Sequence, residues 1–174
     1  EKALADFTKA TDLDPRHAYA WFGRGYSNTK LGQTAEALAD YSQAIELKPN
    51  YVIARANRGN IYRQMGERDK SLLDYSQAVE LNPKWIPAWY GRGLLYAELR
   101  QHDKAVADYS RAIELNPRYA AAWYARGLSQ DRRGQPALAL PDYSRSIELA
   151  PTFKSAWFAG GGVQVGRVVG TSDA

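Results

Sequence analysis

Apolar residues follow a helical spacing along most of the chain, and the segments that show it come in pairs. Within residues 86–119, Trp89 and Leu95 belong to one stripe with the spacing of a helix face. A short polar interruption follows, and a second stripe of the same kind contains Tyr109 and Ile113. No segment alternates with the period of two that marks a β-strand. The pattern therefore predicts paired helices and no sheet.

The paired pattern repeats every 34 residues. Proline, aspartate, leucine, aromatic, glycine and tryptophan positions each form a row with this period, and Arg55 is the one exception in the tryptophan row. A proline lacks an amide hydrogen and restricts the residue before it, so each proline is expected to end a helix. Six rows in phase predict a repeat array and not a single globular core. The proline row is Pro15, Pro49, Pro83, Pro117 and Pro151.

These residues resemble a known family. The motif of the tetratricopeptide repeat, which also has a period of 34 residues, is matched by Trp89, Gly93, Tyr96, Ala105, Tyr109, Ala112 and Pro117. The resemblance covers residues 1 to about 159. It implies an all-α fold, a right-handed superhelical solenoid of antiparallel helix pairs. Pentatricopeptide repeats, which bind RNA, match less well because they lack this tryptophan and this proline.

The phase of the period divides the chain into whole and partial repeats. Residues 1–17 are interpreted as the second helix of a partial repeat, and residues 154–159 as the start of another. Residues 160–174 contain five glycines and four valines without a helical stripe, which predicts an irregular tail. Pro141 falls inside a predicted helix and is expected to kink it. The whole repeats are residues 18–51, 52–85, 86–119 and 120–153.

An arginine row departs from the apolar residue usual in the family. Each arginine precedes the repeated glycine and faces the helix that carries the repeated aspartate, so we expect ion pairs within each repeat. Two alternatives stay open for this row: a solvated arginine whose stem covers apolar surface, and a basic stripe for phosphates. The expected pairs join Arg24, Arg58, Arg92 and Arg126 to Asp40, Asp74, Asp108 and Asp142.

The resemblance also implies where a ligand would bind. In tetratricopeptide proteins, the first helices of successive repeats line a concave groove that holds peptides. Steps of three and four residues along these helices identify the side chains that would face the groove. The candidate peptide-binding residues are Tyr19, Phe22, Tyr26, Asn57, Asn60, Arg63, Tyr90, Leu94, Tyr124, Leu128 and Arg132.

The candidate groove has aromatic and apolar ends with an amide patch between them. A side-chain amide both donates and accepts hydrogen bonds, so Asn57 and Asn60 could hold a peptide backbone without reading its sequence. The aromatic residues offer surface for apolar anchors. Two plainer roles stay open: Phe22 and Tyr90 could be packing between repeats, and the two asparagines could be solvated surface.

Some tetratricopeptide proteins bind the acidic C-terminal tails of chaperones with a carboxylate clamp of Lys, Asn and Arg. Phe22 and Tyr26 stand where the first repeat of that clamp would require Lys and Asn, and only Asn57 fits. We therefore expect no specific binding of such tails.

Composition and charge argue against several other classes of protein. The chain has no cysteine, which excludes a disulfide, a zinc–thiolate site and a cysteine nucleophile. The two histidines, His17 and His102, lie in predicted turns, and no glycine-rich phosphate loop follows a strand. We therefore expect no enzyme activity, no metal and no cofactor. The net charge of +4 is mild, and we expect neither nucleic-acid nor membrane binding.

The sequence thus predicts a protein-interaction scaffold that binds a protein or peptide ligand in its groove. The alternative is a structural spacer or self-associating module of a larger protein, without its own ligand. A third, less favoured interpretation is RNA binding, which predicts a steep dependence of the affinity on salt. Neither end carries a polar capping repeat, so we expect either that the chain is part of a longer array, which is the favoured interpretation, or that its ends stack on copies of itself in end-to-end self-association. The identity of the partner is not fixed by the fold. The redox compartment stays open, and a cytoplasmic location is the favoured expectation.

Overall fold

Helices form all the regular secondary structure of residues 2–151, the part of the chain that this computed structural model describes. Nine helices and no strand occur in that range, which confirms the predicted all-α class. The helices are α1 (Lys2–Leu13), α2 (Ala18–Lys30), α3 (Thr34–Leu47), α4 (Val52–Gln64), α5 (Arg68–Leu81), α6 (Ile86–Glu98), α7 (His102–Leu115), α8 (Ala120–Arg132) and α9 (Pro136–Leu149).

The repeated prolines and glycines mark the helix ends. The residues before Pro49, Pro83, Pro117 and Pro151 have left the helical region, as Asn82 does with φ −144° and ψ 90° after the end of α5. The turns inside the helix pairs contain Gly32, Gly66 and Gly134 with φ of 75°, 78° and 74°, a conformation that glycine adopts without steric cost. The equivalent turn between α6 and α7 has Arg100 instead, with φ of 58°.

Two compact units divide the chain after Leu95, within α6. In the first unit, α2 packs on α3 and α4 on α5, and further contacts join α1 to α2 and α3 to α4. In the second unit, α8 packs on α9 and α7 packs on α8. The division into repeats of residues 18–51, 52–85, 86–119 and 120–153 stays a prediction.

The core of the first unit is built from alanines and large tyrosines. Tyr41 is fully buried and Tyr51 is nearly so, and Phe22 packs against them from α2. Small residues allow close helix approach: a Cβ on Gly59 would lie 3.2 Å from the Cβ of Asp74. The main cluster comprises Ala37, Tyr41, Ala44, Ile45, Tyr51, Ala54 and Ile61.

The predicted Arg–Asp ion pairs are confirmed in three repeats. The shortest nitrogen–oxygen distances are 2.6 Å for Arg24–Asp40, 2.8 Å for Arg58–Asp74 and 2.7 Å for Arg126–Asp142. The aspartate side chains are only 1–4% exposed, so these are buried carboxylates and not surface pairs. The hydrogen bond and the negative charge of Asp74 raise the pKa of the Arg58 guanidinium, although desolvation opposes them.

Each of these arginines also reaches a third helix. The Nη1 atom of Arg58 donates to Ser42 Oγ on α3 at 3.0 Å, and Arg126 makes the same bond to Ser110 on α7. Arg24 donates to Thr11 on α1, also at 3.0 Å. One side chain therefore ties its own helix to the helix that follows it and to the helix that precedes it.

The tryptophan row carries a second repeated hydrogen bond. Trp21, Trp89 and Trp123 donate the indole N–H to the carbonyl oxygen of the proline six residues earlier, at 2.8–2.9 Å. Arg55, the exception in this row, donates Nε and Nη2 to the carbonyl oxygen of Pro49 at 3.0 and 2.8 Å. The arginine thus makes the bond that tryptophan makes in the other repeats.

Two predictions concern the C-terminal part of the chain. The helix that contains Pro141 is continuous from Pro136 to Leu149, and Pro136 stands in its first turn. The kink at Pro141 stays a prediction. The predicted partial repeat at residues 154–159 and the tail at residues 160–174 lie outside the described residues.

Candidate functional site

One cavity of about 240 Å³ brings together four of the residues that the sequence singled out. Asn57 and Asn60 come from α4, and Tyr90 and Leu94 come from α6. In both helices the cavity residues are three or four positions apart, so they lie on one helix face. The full lining is Ala56, Asn57, Asn60, Tyr75, Pro87, Tyr90, Gly91 and Leu94.

The two asparagines are half-buried, and each is held at one end of its amide. Asn57 Nδ2 donates to the hydroxyl of Tyr41 at 3.5 Å, a long hydrogen bond. Asn60 Oδ1 accepts from Arg63 Nη2 at 3.2 Å. Among the described residues, no hydrogen bond is recorded for Asn57 Oδ1 or Asn60 Nδ2. The pair therefore presents one acceptor and one donor, which are the complements of the N–H and C=O of a peptide group.

Most of the apolar lining of the cavity comes from α6, and Tyr75 of α5 contributes a ring. Gly91 is packed so closely against the Tyr75 ring that a Cβ there would overlap it. Burial raises the pKa of the half-buried Tyr90, and the charge of Arg63 partly opposes that shift. Tyr90 thus stays neutral at physiological pH and offers an aromatic face beside the two amides.

The aromatic residues predicted on α2 form a cluster. Tyr19 is 55% exposed and meets Tyr51 edge to face at 5.3 Å, while Phe22 stacks on Tyr26 at 6.5 Å between ring centroids. Phe22 also lies 5.7 Å from the ring of the buried Tyr41. It therefore packs against the core while its neighbours Tyr19 and Tyr26 remain exposed.

Lys48 completes this cluster, and the sequence did not reveal it. Its ammonium lies 2.5 Å from the Tyr19 hydroxyl and within 4.4 and 5.0 Å of the Tyr19 and Tyr51 ring centroids. Lys48 directly follows α3, whereas the candidate groove residues all lie on the first helices of the predicted repeats. The only signal in the sequence is a cation next to Pro49 in the turn that leads to Tyr51.

The candidates of the second unit lie in two places. Tyr124 packs 5.9 Å from the ring of Tyr143, whose hydroxyl donates to Asp131 at 3.0 Å, and Leu128 is half-buried on the same helix. Burial raises the pKa of Tyr124. Arg132 lines a separate polar cavity, although its charge also acts on the hydroxyl of Tyr143.

The described residues contain neither a cluster that could bind a metal ion nor a helix that could span a membrane. Between residues 2 and 151, no three His, Cys, Asp or Glu side chains come together in a way that could hold a metal ion. In the same range, no helix combines the length and apolar character needed to cross a bilayer.

Comparison with known proteins identifies the family. A tetratricopeptide repeat model matches residues 86–119, a TPR repeat model matches residues 25–66 and 59–100, and a further tetratricopeptide repeat model matches residues 109–140. Together the matches span residues 25–140, more than half of the 174-residue chain. The chain belongs to the tetratricopeptide repeat family. No curated protein matches it in sequence.

Solved structures share the fold at low sequence identity. The MamA protein is 22% identical, with 90% of this chain and 84% of that chain covered and a TM-score of 0.77. YrrB, a TPR protein with an unusual peptide-binding site, is 24% identical, with 91% and 81% covered and a TM-score of 0.77. TTC0263, a thermophilic TPR protein of Thermus thermophilus, is 24% identical, with 88% and 84% covered and a TM-score of 0.71. The family and the fold support the general class of a protein-interaction scaffold.

Proposed function

We propose that this chain is an interaction scaffold that binds an extended peptide segment of a partner protein across the cavity between α4 and α6. The observation that carries the proposal is the pair of half-buried amides, Asn57 and Asn60, beside the ring of Tyr90. An extended peptide presents an N–H and a C=O at each residue, and the unbonded Asn57 Oδ1 and Asn60 Nδ2 suit one of each.

The apolar part of the cavity supports the same ligand. Tyr90 and Leu94 offer contact surface for one apolar side chain of the peptide, next to the amides that would hold its backbone. A volume of about 240 Å³ suits a single side chain better than a whole small-molecule ligand, for which pockets are commonly larger, about 300–1,000 Å³.

The aromatic cluster on α2 extends this surface within the first unit. The ring of Phe22 contacts that of Tyr41, and the Tyr41 hydroxyl contacts Asn57, so the cluster and the cavity are joined through Tyr41. Tyr19 and Tyr26 are 55% and 47% exposed, and exposed tyrosines provide rigid contact area for a partner. A peptide that fills the cavity would continue over these rings.

The proposal is tested with a peptide selected from a random display library against the wild-type chain. Calorimetry then measures its affinity for the wild type and for the double variant Asn57→Ala and Asn60→Ala. Two lost hydrogen bonds of about 1 kcal/mol each should weaken binding about 10- to 30-fold. Thermal unfolding should change little, because the two asparagines make only one long and one ordinary internal hydrogen bond.

Asn50→Ala is the matched control, since Asn50 is an exposed asparagine outside the cavity. It should leave the affinity unchanged. A selected peptide that binds the double variant as tightly as the wild type contradicts the proposal. If no peptide is enriched and the double variant unfolds much more easily, the asparagines serve the fold, and the structural-spacer alternative is favoured.

A further inference from the structure

A second, polar cavity lies in the second unit, where the turn after α6 meets the start of α7 and the end of α8. Its volume is about 580 Å³, more than twice that of the cavity between α4 and α6. Two arginines and one histidine contribute to its wall against a single carboxylate. The lining residues are Ala97, Glu98, Arg100, His102 and Arg132.

Arg100 occupies a backbone position that suits glycine. The equivalent turns contain Gly32, Gly66 and Gly134, and Arg100 adopts the same left-handed conformation with φ of 58°. A side chain with a Cβ is unfavourable there, so the backbone does not explain the arginine. Arg100 is also one of the residues that line the cavity, which offers another reason for its presence.

The arginines of the cavity wall have no hydrogen-bond or ion-pair partner within residues 2–151. The structure records neither kind of contact for the side chain of Arg100 or Arg132 in that range. The neighbouring Arg133, by contrast, is paired with Asp103 at 2.6 Å. The positive charge left beside the cavity is therefore that of Arg100 and Arg132.

His102 adds an imidazole to the same cavity wall. Its Nδ1 is enclosed by protein and has no hydrogen-bond partner among the described residues, so Nε2 is the nitrogen that remains for a ligand in the cavity. Two guanidinium groups and an imidazole around one cavity provide several hydrogen-bond donors for an oxyanion.

We propose that Arg100, Arg132 and His102 form a binding site for a phosphate group. An arginine fork matches the oxygens of a phosphate in a bidentate way, and two forks from different elements can surround a tetrahedral group better than a planar one. The phosphate could be free or belong to a small ester, or it could be carried by a phosphorylated side chain of the partner. This site is independent of the cavity between α4 and α6, and it stands if that cavity binds no peptide.

The first experiment is an NMR titration of the wild-type chain with inorganic phosphate at constant ionic strength. Saturable shifts are expected for the backbone amides of residues 97–104 and 130–134. Arg100→Gly and Arg132→Ala should each weaken binding about tenfold, as expected for the loss of a charge-assisted hydrogen-bond pair. Thermal unfolding of Arg100→Gly should occur at the same or a higher temperature, because glycine relieves the left-handed backbone.

Arg118→Ala is the control, since it removes one exposed arginine of the same unit outside the cavity. It should bind phosphate like the wild type. Absence of saturable shifts in the named amides overturns the proposal. So does an equal loss in Arg118→Ala and Arg100→Gly, which would indicate screening by total charge, or acetate that binds as tightly as phosphate.

A second titration distinguishes the two sources of the phosphate. It uses a short glycine–serine peptide that carries one phosphoserine, together with its unphosphorylated twin. A phosphopeptide that binds about tenfold more tightly than inorganic phosphate identifies a phosphorylated protein as the ligand. Equal affinities identify the phosphate group alone. The unphosphorylated twin should not bind, and binding of the twin as tight as that of the phosphopeptide contradicts the site.

Discussion

The two sides of α4 use polar side chains in opposite ways. On the side that packs against α5, Arg58 is fully engaged with the buried Asp74 and with Ser42. On the side that lines the cavity, the half-buried Asn57 and Asn60 each hold only one end of the amide in an internal hydrogen bond. Arg58 directly follows Asn57 in the sequence, so the difference arises from the helix face and not from the region of the chain.

The two sides of α4 also differ in whether the same residues recur at the equivalent positions of the other helix pairs. The packing side is the same in the first two helix pairs and in the last, with the same ion pair in each. The position of Asn57 is instead Gly23, Gly91 and Ala125 in the other first helices, and that of Asn60 is tyrosine or leucine. Repeated positions thus satisfy their polar groups internally and hold the fold. The varying positions of Asn57 and Asn60 leave one amide atom each without an internal hydrogen bond among the described residues.

The strongest test of this contrast is to remove a repeated carboxylate. Asp74→Ala leaves the buried guanidinium of Arg58 without its partner, and Arg55 Nη1, 3.9 Å from Asp74, loses a nearby charge as well. Breaking a buried pair on one side costs about 3–5 kcal/mol, because a charge is left uncompensated. Urea unfolding followed by circular dichroism measures the loss.

Asn60→Ala on the opposite face is the matched comparison, with an expected loss of about 1 kcal/mol or less. If the two variants lose the same free energy of unfolding, the division between the faces of α4 is wrong. Replacing both partners, with Arg58→Met and Asp74→Leu together, should recover part of the loss, because no lone charge remains.

An intermediate effect is expected from the buried tyrosine Tyr51, which directly precedes α4. Burial, with a further contribution from Tyr19, raises the pKa of Tyr51 from 10.0 to about 12. In the unfolded chain the hydroxyl loses its proton first, so stability that is present below pH 10 is lost as the pH rises toward about 12. The corresponding loss is about 2–3 kcal/mol.

Unfolding free energies measured from neutral to alkaline pH test this, with Tyr51→Phe as the comparison. That variant should lose less stability between neutral and strongly alkaline pH than the wild type. Some loss should remain, since burial also raises the pKa values of Tyr41, Tyr90, Tyr124 and Tyr143. Identical pH dependence in the variant and the wild type would show that the burial of Tyr51 does not act through its hydroxyl.

The packing side could be predicted from the sequence because its residues recur in phase. The 34-residue rows were sufficient to predict the helix pairs and the ion pairs of Arg24, Arg58 and Arg126, which the structure confirms. Each row provides several copies of one contact. Because the same residue types recur at the same spacing, such a contact can be predicted from the sequence alone.

The side that lines the cavity could be predicted from the sequence only as a set of candidate residues. Helix spacing identified Asn57, Asn60, Tyr90 and Leu94, but their meeting in one cavity depends on the close approach of Gly91 to Tyr75. The spacing also could not show that Arg132 lies in a different cavity or that Lys48 reaches Tyr19 from outside the helix. Such contacts occur once in the chain, so no period reveals them.

The smallest expected effect comes from Arg55, the exception in the tryptophan row, and it decides whether this arginine only replaces the tryptophan or has contacts of its own that the fold needs. Arg55→Trp should keep the bond to the Pro49 carbonyl that Trp21, Trp89 and Trp123 make to their prolines. It loses the bond from Nη1 to Gln77 at 2.5 Å, so the change in unfolding free energy should stay within about 1 kcal/mol. Arg55→Ala loses both bonds and the packing of the stem, and urea unfolding should show a clearly larger loss for it. If tryptophan is as damaging as alanine, Arg55 is needed for its contacts with Gln77 and Asp74, and variation on the packing side carries a function of its own.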